Sequence, residues 1–399
     1  MKPRIFINIH YLEIGGVETS LIGLLQALSP EQVEVDLFVN NHSGEMMQFI
    51  PDWVNLLPEV SSYAMIERPM LEVLRRGFMK VLAARIWAKI QFNIYQKKGN
   101  AQNEGAIFGY VGKYITPVLP SLKHLGDYDL AISFLAPHDI VLKKVKAKKK
   151  ICWIHTDYTN IDVDKAVELP IWNGYDYIAS ISTNVTTNFC SVFPTLRNKI
   201  ITIKNILSPV FVKIRAEVEL QPKEMDKKKD EILLLTIGRY SYPKKMEEIP
   251  MICRFLSQKG LLLKWYIIGY GQSDEYIRKA IVQEGMEDRV ILLGKRSNPY
   301  PYIKNCDWYV QPSRYEGNSV VVREAQILHK PVIITAYPTA ASQVKDGIDG
   351  VIVPMEVSAC AAKMFATLKN KELKNKIITY LSCHDYGNES EANKIYSLI

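Results

Sequence analysis

A chain of 399 residues with 48% apolar and 23% charged side chains has an ordinary globular composition, which excludes disordered, collagenous and fibrous classes and suits two or three domains. Fifty Lys and Arg against 42 Asp and Glu leave +8, a mild basicity that suits a phosphate-bearing ligand, an anionic membrane or nucleic acid without choosing among them. The six cysteines lack C-x-x-C spacing and read as reduced thiols, mostly in the core of a cytosolic protein.

The opening run, residues 1–10, is basic, but its apolar part is too short for a signal peptide and no small-residue cleavage site follows. No uninterrupted run of about 18 apolar residues occurs, so no transmembrane helix is expected. Residues 5–9 form a strand, Gly15-Gly16-Val17-Glu18 a loop, and Leu21, Leu24, Leu25 and Leu28 the apolar face of a helix. Residues 33–39 form the next strand, and this strand–glycine loop–helix–strand unit favours a parallel sheet. Residues 68–98 break the rhythm, with Leu71, Leu74, Phe78, Leu82, Ile86 and Ile90 at helical spacing. Eight basic and two acidic side chains lie between residues 65 and 99. A basic amphipathic helix of this kind suits an anionic membrane surface, or else packs on its own domain with a solvated face.

Strands return at 129–135, 151–154, 177–182 and 200–204. The basic run 143–150 reads as a solvated helix end suited to anionic lipid, and lacks the interleaved aromatics of a nucleic-acid site. A Lys- and Glu-rich stretch, 217–230, marks the join between two α/β series. The second series places strands at 232–237, 263–268, 290–293, 308–311 and 331–335, and a helix near 247–258. A polar loop and a final helix occupy 386–399.

The chemistry concentrates between residues 238 and 324. Gly238-Arg239 ends a strand and Lys244 follows, so two cations sit where open parallel sheets bind ligands and where a diphosphate would need them. Gly269 and Gly271 follow a strand and either let a ligand approach the backbone closely or make a simple tight turn. Glu316 and Glu324 flank Gly317-Asn318-Ser319, with Glu316 at the loop edge and Glu324 on the helix that follows, whose first amides suit an anion.

Glu316-x7-Glu324 resembles the signature of retaining glycosyltransferases of family four (glycosyl transferases group one). Gly15-Gly16, Gly238-Arg239 with Lys244, Cys306-Asp307 before Gln311-Pro312-Ser313, Lys330-Pro331-Val332, and Asp346-Gly347 with Gly350 follow in the family's order. The wording of 313–343 is most similar to bacterial enzymes of capsular and exopolysaccharide synthesis.

The resemblance implies a GT-B fold, with two doubly wound Rossmann-like domains facing across a cleft. An acceptor domain would span 1–215 with a helical insertion at 65–115. A nucleotide-sugar domain would span 216–383, and a helix at 384–399 would cross back to the first. It implies transfer of a sugar from a nucleotide donor, UDP-linked, with retention, to a glycan acceptor on a polyprenyl diphosphate lipid. The setting would be bacterial surface polysaccharide synthesis at the inner face of the cell membrane.

The same resemblance assigns roles. Arg239 and Lys244 would neutralise the departing diphosphate, Glu316 would contact the donor sugar, and Glu324 would bond the ribose. Asn318, Ser319, Val320, Gly15 and Gly16 would cradle phosphate, and Lys295 after Gly294 would border the base. Gly238 and Gly269 would shape the donor pocket. No metal or other cofactor is expected, and no nucleic-acid partner. The family's His-x-His is absent at 132–134; His155 and Asp157, or alternatively His138, stand in for it, and Lys245 is an alternative second cation. The same fold would also serve a nucleotide-sugar epimerase or a non-catalytic membrane adaptor.

Overall fold

The computed structural model describes the whole chain except residues 1, 14, 101–104, 160, 219–221 and 318. It divides into two compact units, one formed by Met1–Ile206 with Asn388–Ile399 and the other by Leu207–Gly387.

The first unit holds seven strands: β1 (Arg4–Ile9), β2 (Glu34–Val39), β3 (Asn55–Leu56), β4 (Asp127–Ser133), β5 (Lys146–Ile154), β6 (Tyr177–Ser180) and β7 (Ile200–Thr202). They form one parallel sheet in the order 3-2-1-4-5-6-7. Ile5, Phe6, Ile7 and Ile9 are all buried, as expected of a central strand covered on both faces. Between β3 and β4 the chain inserts the helices Met70–Arg75, Met79–Tyr95 and Ile107–Ile115. The last two pack through Ala88, Phe92, Ala106 and Tyr110.

The basic run 143–150 differs from the sequence expectation. From Lys146 it is the first half of β5, because two carboxylates await it: Lys146 pairs with Asp127 at 2.9 Å and Lys148 with Asp129 at 2.7 Å on neighbouring β4. Lys150 donates to the Val141, Leu142 and Val145 carbonyls at 2.7 to 3.0 Å. These lysines are structural.

The second unit holds β8 (Ile232–Ile237), β9 (Leu263–Ile268), β10 (Val290–Gly294), β11 (Trp308–Gln311), β12 (Val332–Thr335) and β13 (Val351–Val353). They form a parallel sheet in the order 10-9-8-11-12-13. Alternate residues feed two cores. Leu234, Trp265, Trp308 and Ile333 pack on one face, and Leu233, Leu235, Tyr266, Tyr309 and Ile334 on the other, which is the period-two pattern of a sheet buried on both sides.

The join lies earlier than the polar stretch suggested. Helix Pro209–Glu217 starts at Ser208, whose hydroxyl accepts from the Phe211 amide. Leu207, Val212 and Ala216 belong to the second unit's core, so burial of this helix moves the division back to Leu207. At the other end, Tyr386 donates to Asp349 at 2.9 Å and keeps the second unit going to Gly387. The final residues pack on the first unit as two short turns, Glu389–Ala392 and Asn393–Tyr396. There the Tyr396 hydroxyl accepts from the Ser29 amide at 2.7 Å, and Lys394 donates to the Thr202 carbonyl at 2.8 Å.

Candidate functional site

In a doubly wound sheet the crevice opens where neighbouring strands send their connections to opposite faces, at their carboxyl ends. In the second unit that point lies between β8 and β11. Buried Thr236 fixes it: its hydroxyl donates to the Val310 carbonyl at 2.7 Å and accepts from the Trp265 indole at 2.9 Å. β8 runs directly into Gly238-Arg239, and β11 into the loop that carries Ser313 and Glu316.

Glu316 is the centre of the polar network. Its Oε1 accepts from Lys244 Nζ at 2.6 Å, from Ser313 Oγ at 2.6 Å and from Gln311 Nε2 at 3.0 Å. Gln311 is held in turn by the Tyr309 hydroxyl. The Glu316 carbonyl accepts from Thr339 Oγ1 at 2.7 Å. One carboxylate oxygen is thus saturated, while Oε2 has no hydrogen-bond partner among the described residues. Arg239 is exposed and forms no ion pair among them. Lys245 is excluded as the second cation: it is buried, pairs with Glu248 at 2.7 Å and donates to the Met355 carbonyl.

Glu324 differs in kind. It lies on helix Val320–Ile327, is 4% exposed, and accepts from the Tyr300 hydroxyl at 2.8 Å. Burial pushes its carboxyl up to about 7. Glu316 and Glu324 share no hydrogen-bond partner among the described residues.

Several assigned binding positions have other duties. A Cβ on Gly269 would meet the Gly238 carbonyl oxygen at 1.9 Å, so this glycine admits another backbone rather than a ligand. Gly294, at φ 71°, ends β10 in a left-handed turn with open space beside it. The ammonium of Lys295 lies 5.6 Å from the centre of the Tyr270 ring. The Ser319 amide, assigned to phosphate, donates instead to Gln343 Oε1 at 3.2 Å, and the Tyr337 hydroxyl donates to the same oxygen at 2.9 Å. Val320 opens the helix, and Asn318 lies outside the described residues.

The first unit has its own switch point, between β1 and β4. Gly15 caps helix Gly16–Ala27, and a Cβ there would strike the Glu18 carboxylate at 2.2 Å; Gly16 faces open space. The His155 ring lies 4.8 Å from that of Phe134, tilted by 47°, and among the described residues neither of its buried ring nitrogens has a hydrogen-bond partner. His138 Nδ1 bonds Ser133 Oγ at 2.8 Å. Burial pushes both imidazoles down to about 3, so both are neutral at pH 7. Both oxygens of Asp157 are engaged: Oδ1 accepts from Thr159 at 2.9 and 2.7 Å, and Oδ2 accepts from Asn188 at 2.8 Å. It anchors its own loop.

Sequence reasoning gave no site role to His10, Tyr300 or Gln343, and read Ser313 only as part of a motif. His10 follows β1 and bonds the Ala136 carbonyl and Asn40; its position directly after the first strand was the available signal. Among the described residues, no group of three or more His, Cys, Asp or Glu side chains is arranged to hold a metal ion. No helix there is long and apolar enough to cross a membrane.

Residues 217–381 match the family described as glycosyl transferases group 1. The matched residues lie within the second unit. An uncharacterized glycosyltransferase of Methanocaldococcus jannaschii is 25% identical over 182 residues, 44% of this chain and 46% of its own. The capsular polysaccharide biosynthesis glycosyltransferase CapM of Staphylococcus aureus is 27% identical over 150 residues, 37% of this chain and 40% of its own. The N-acetylgalactosamine-N,N'-diacetylbacillosaminyl-diphospho-undecaprenol 4-alpha-N-acetylgalactosaminyltransferase of Campylobacter jejuni is 27% identical over 110 residues, 28% of this chain and 29% of its own. The alignments therefore span less than half the length of these relatives.

S. aureus TarM, crystallised with fondaparinux, alpha-GlcNAc-glycerol and UDP, superposes with a TM-score of 0.66 at 14% identity over 99% of both chains. At that identity the likeness speaks for the fold, which is GT-B.

Proposed function

We propose that this protein transfers a sugar from a UDP-linked donor, with retention at the anomeric carbon, to a lipid-linked glycan acceptor in bacterial surface polysaccharide synthesis. The observation that carries this reading is the Lys244–Glu316 pair at the β8/β11 switch point, on the connection from β8 that begins with Gly238-Arg239.

In this reading Arg239, which no carboxylate among the described residues pairs with, takes the donor diphosphate with its fork. Lys244, held by Glu316, stands as a point charge beside it. As the bond from the anomeric carbon to the phosphate oxygen breaks, negative charge grows on the diphosphate, and both cations stabilise it more in the transition state than before. The acceptor oxygen forms the new bond on the same face, and the departing phosphate oxygen takes its proton. The open Oε2 of Glu316 accepts from a donor-sugar hydroxyl, and Glu324 accepts from the ribose. Gly15 and Gly16 contribute to phosphate binding, and the neutral ring of His155 meets acceptor or donor hydroxyls. Charge neutralisation by side chains leaves no role for a metal.

The UDP complex of TarM and the lipid-linked product of the C. jejuni relative support the donor and acceptor classes. The test is a screen of UDP- and GDP-sugars against lipid-linked acceptors, read by mass spectrometry, with the anomer of the product assigned by NMR. An inverted product would overturn the retaining mechanism. Quantitative conversion of the donor without any acceptor would point to an epimerase, and failure to bind any nucleotide-sugar to a non-catalytic adaptor.

A further inference from the structure

The insertion between β3 and β4 carries a helix that is apolar on two opposite sides. In Met79–Tyr95, Val81, Ala88 and Phe92 are buried against the domain. Their side is completed by Arg85, whose guanidinium donates to the Met65 carbonyl at 3.0 Å and to the Arg68 carbonyl. At 3.6 residues per turn the opposite side is Met79, Ala83, Ile86, Trp87, Ile90 and Ile94. Apart from Ala83, each of these is between 41% and 56% exposed. This outward stripe runs for about 22 Å along the helix axis. A solvated surface helix normally carries polar residues there.

The charge beside the stripe has one sign. Lys80 lies on one flank and Lys89 on the other, and Lys97 and Lys98 follow at the carboxyl end. The preceding short helix adds exposed Leu71, Leu74 and Arg75. Glu72 is already shared between Arg68 and Arg76, at 3.4 and 2.9 Å. Among the described residues no acid pairs with Arg75, Lys80, Lys89, Lys97 or Lys98. Two copies joined through this face would set like charges against each other, whereas a surface with acyl chains beneath anionic headgroups satisfies both features. The length and composition that stop the helix from spanning a bilayer suit one that lies in its interface.

We infer that the outward face of Met79–Tyr95 docks on an anionic lipid bilayer, with Ile86, Trp87, Ile90 and Ile94 inserted and Lys80, Lys89, Lys97 and Lys98 at the headgroups. Arg85 has no part in it, since its guanidinium is committed to backbone carbonyls. This inference is independent of the proposed chemistry, because docking needs neither donor nor acceptor.

The test is co-sedimentation of the full chain with vesicles of phosphatidylcholine alone, or mixed with phosphatidylglycerol. Binding is expected only to the mixed vesicles and should weaken with salt. Lys80→Gln, Lys89→Gln and Lys97→Gln together should lower the partition coefficient by about fivefold per charge. Ile86→Ser with Ile90→Ser should abolish binding even at low salt. In the unmodified chain, lipid brominated near the headgroup should quench a fluorescence component that Trp87→Phe removes, a readout that does not depend on the folding of the multiple variants. Three results would overturn the inference: no binding to mixed vesicles, unchanged binding in the Ile86/Ile90 variant, or a self-associated form in sedimentation velocity whose stripe is out of reach of brominated lipid.

Discussion

The two sheets each have a switch point at their carboxyl edge, and the two edges carry different polar groups. At the β8/β11 edge Lys244 is paired with Glu316 and Arg239 is exposed, so a charged ligand finds its counter-charges already placed. At the β1/β4 edge the polar groups are buried imidazoles that burial keeps neutral. The first arrangement suits a diphosphate; the second offers hydrogen bonds without charge and suits hydroxyls. The difference has a physical root. At the second edge Arg239 is exposed and Lys244 is paired with Glu316, which limits their desolvation cost, whereas an uncompensated imidazolium at the first edge would bear that cost in full.

The strongest way to break this contrast is to remove a charge from the second edge. Arg239→Ala should lower turnover tenfold to a thousandfold, as expected when one partner of a developing charge is lost. Near-normal turnover with an intact fold would sink the assignment. Glu316→Gln should come next. It removes the counter-charge that holds Lys244 and should depress turnover more than donor affinity, whereas Glu324→Gln should mainly weaken donor binding. Steady-state kinetics showing identical, purely KM-type defects in both would contradict the division of roles.

A pH series sharpens the comparison further. The Glu324 carboxyl is raised from 4.5 to about 7, so folding favours its neutral form. Its contribution to stability is greatest below about pH 4.5 and is lost as pH rises through 7. If the ribose bonds the ionised carboxylate, donor affinity should rise several-fold between pH 6 and 8, and Glu324→Gln should flatten that rise. The imidazole NMR signals of His138 and His155 should stay still over the same range, because both titrate near 3. The smallest expected effect is none: exhaustive EDTA treatment should leave the initial rate unchanged, and restoration of a lost rate by a divalent cation would overturn the metal-free reading.

Legibility from sequence follows the same divide. Strands β8, β9 and β11 and the residues that directly end them could be read because a continuous apolar run followed by a glycine or a charge is a local signal. Residues 238–244 and 311–316 therefore fell into place. Gln343 could not be read as the partner of the Ser319 amide, nor Tyr300 as the donor to Glu324, because those bonds join positions 24 residues apart that only the fold brings together. Asp157 looked chemical because it follows a histidine after a strand, but both its oxygens already accept from Thr159 and Asn188. The lysines of 146–150 looked like a solvated helix end because their partners Asp127 and Asp129 lie one strand away.

The return of the last residues to the first unit has a consequence for how this chain can be cut. The Asn388 side chain donates to the Asn205 carbonyl at 2.8 Å, so the place where the chain leaves the first unit and the place where it re-enters lie side by side. Along the chain, the whole second unit is a cassette inserted into a host whose two ends at the junction already touch. Splicing residue 205 to 388 through a few small residues leaves the first sheet and its carboxyl-terminal turns covalently complete. Grafting a different donor domain at the same two points would then exchange one half while leaving the host's own packing intact.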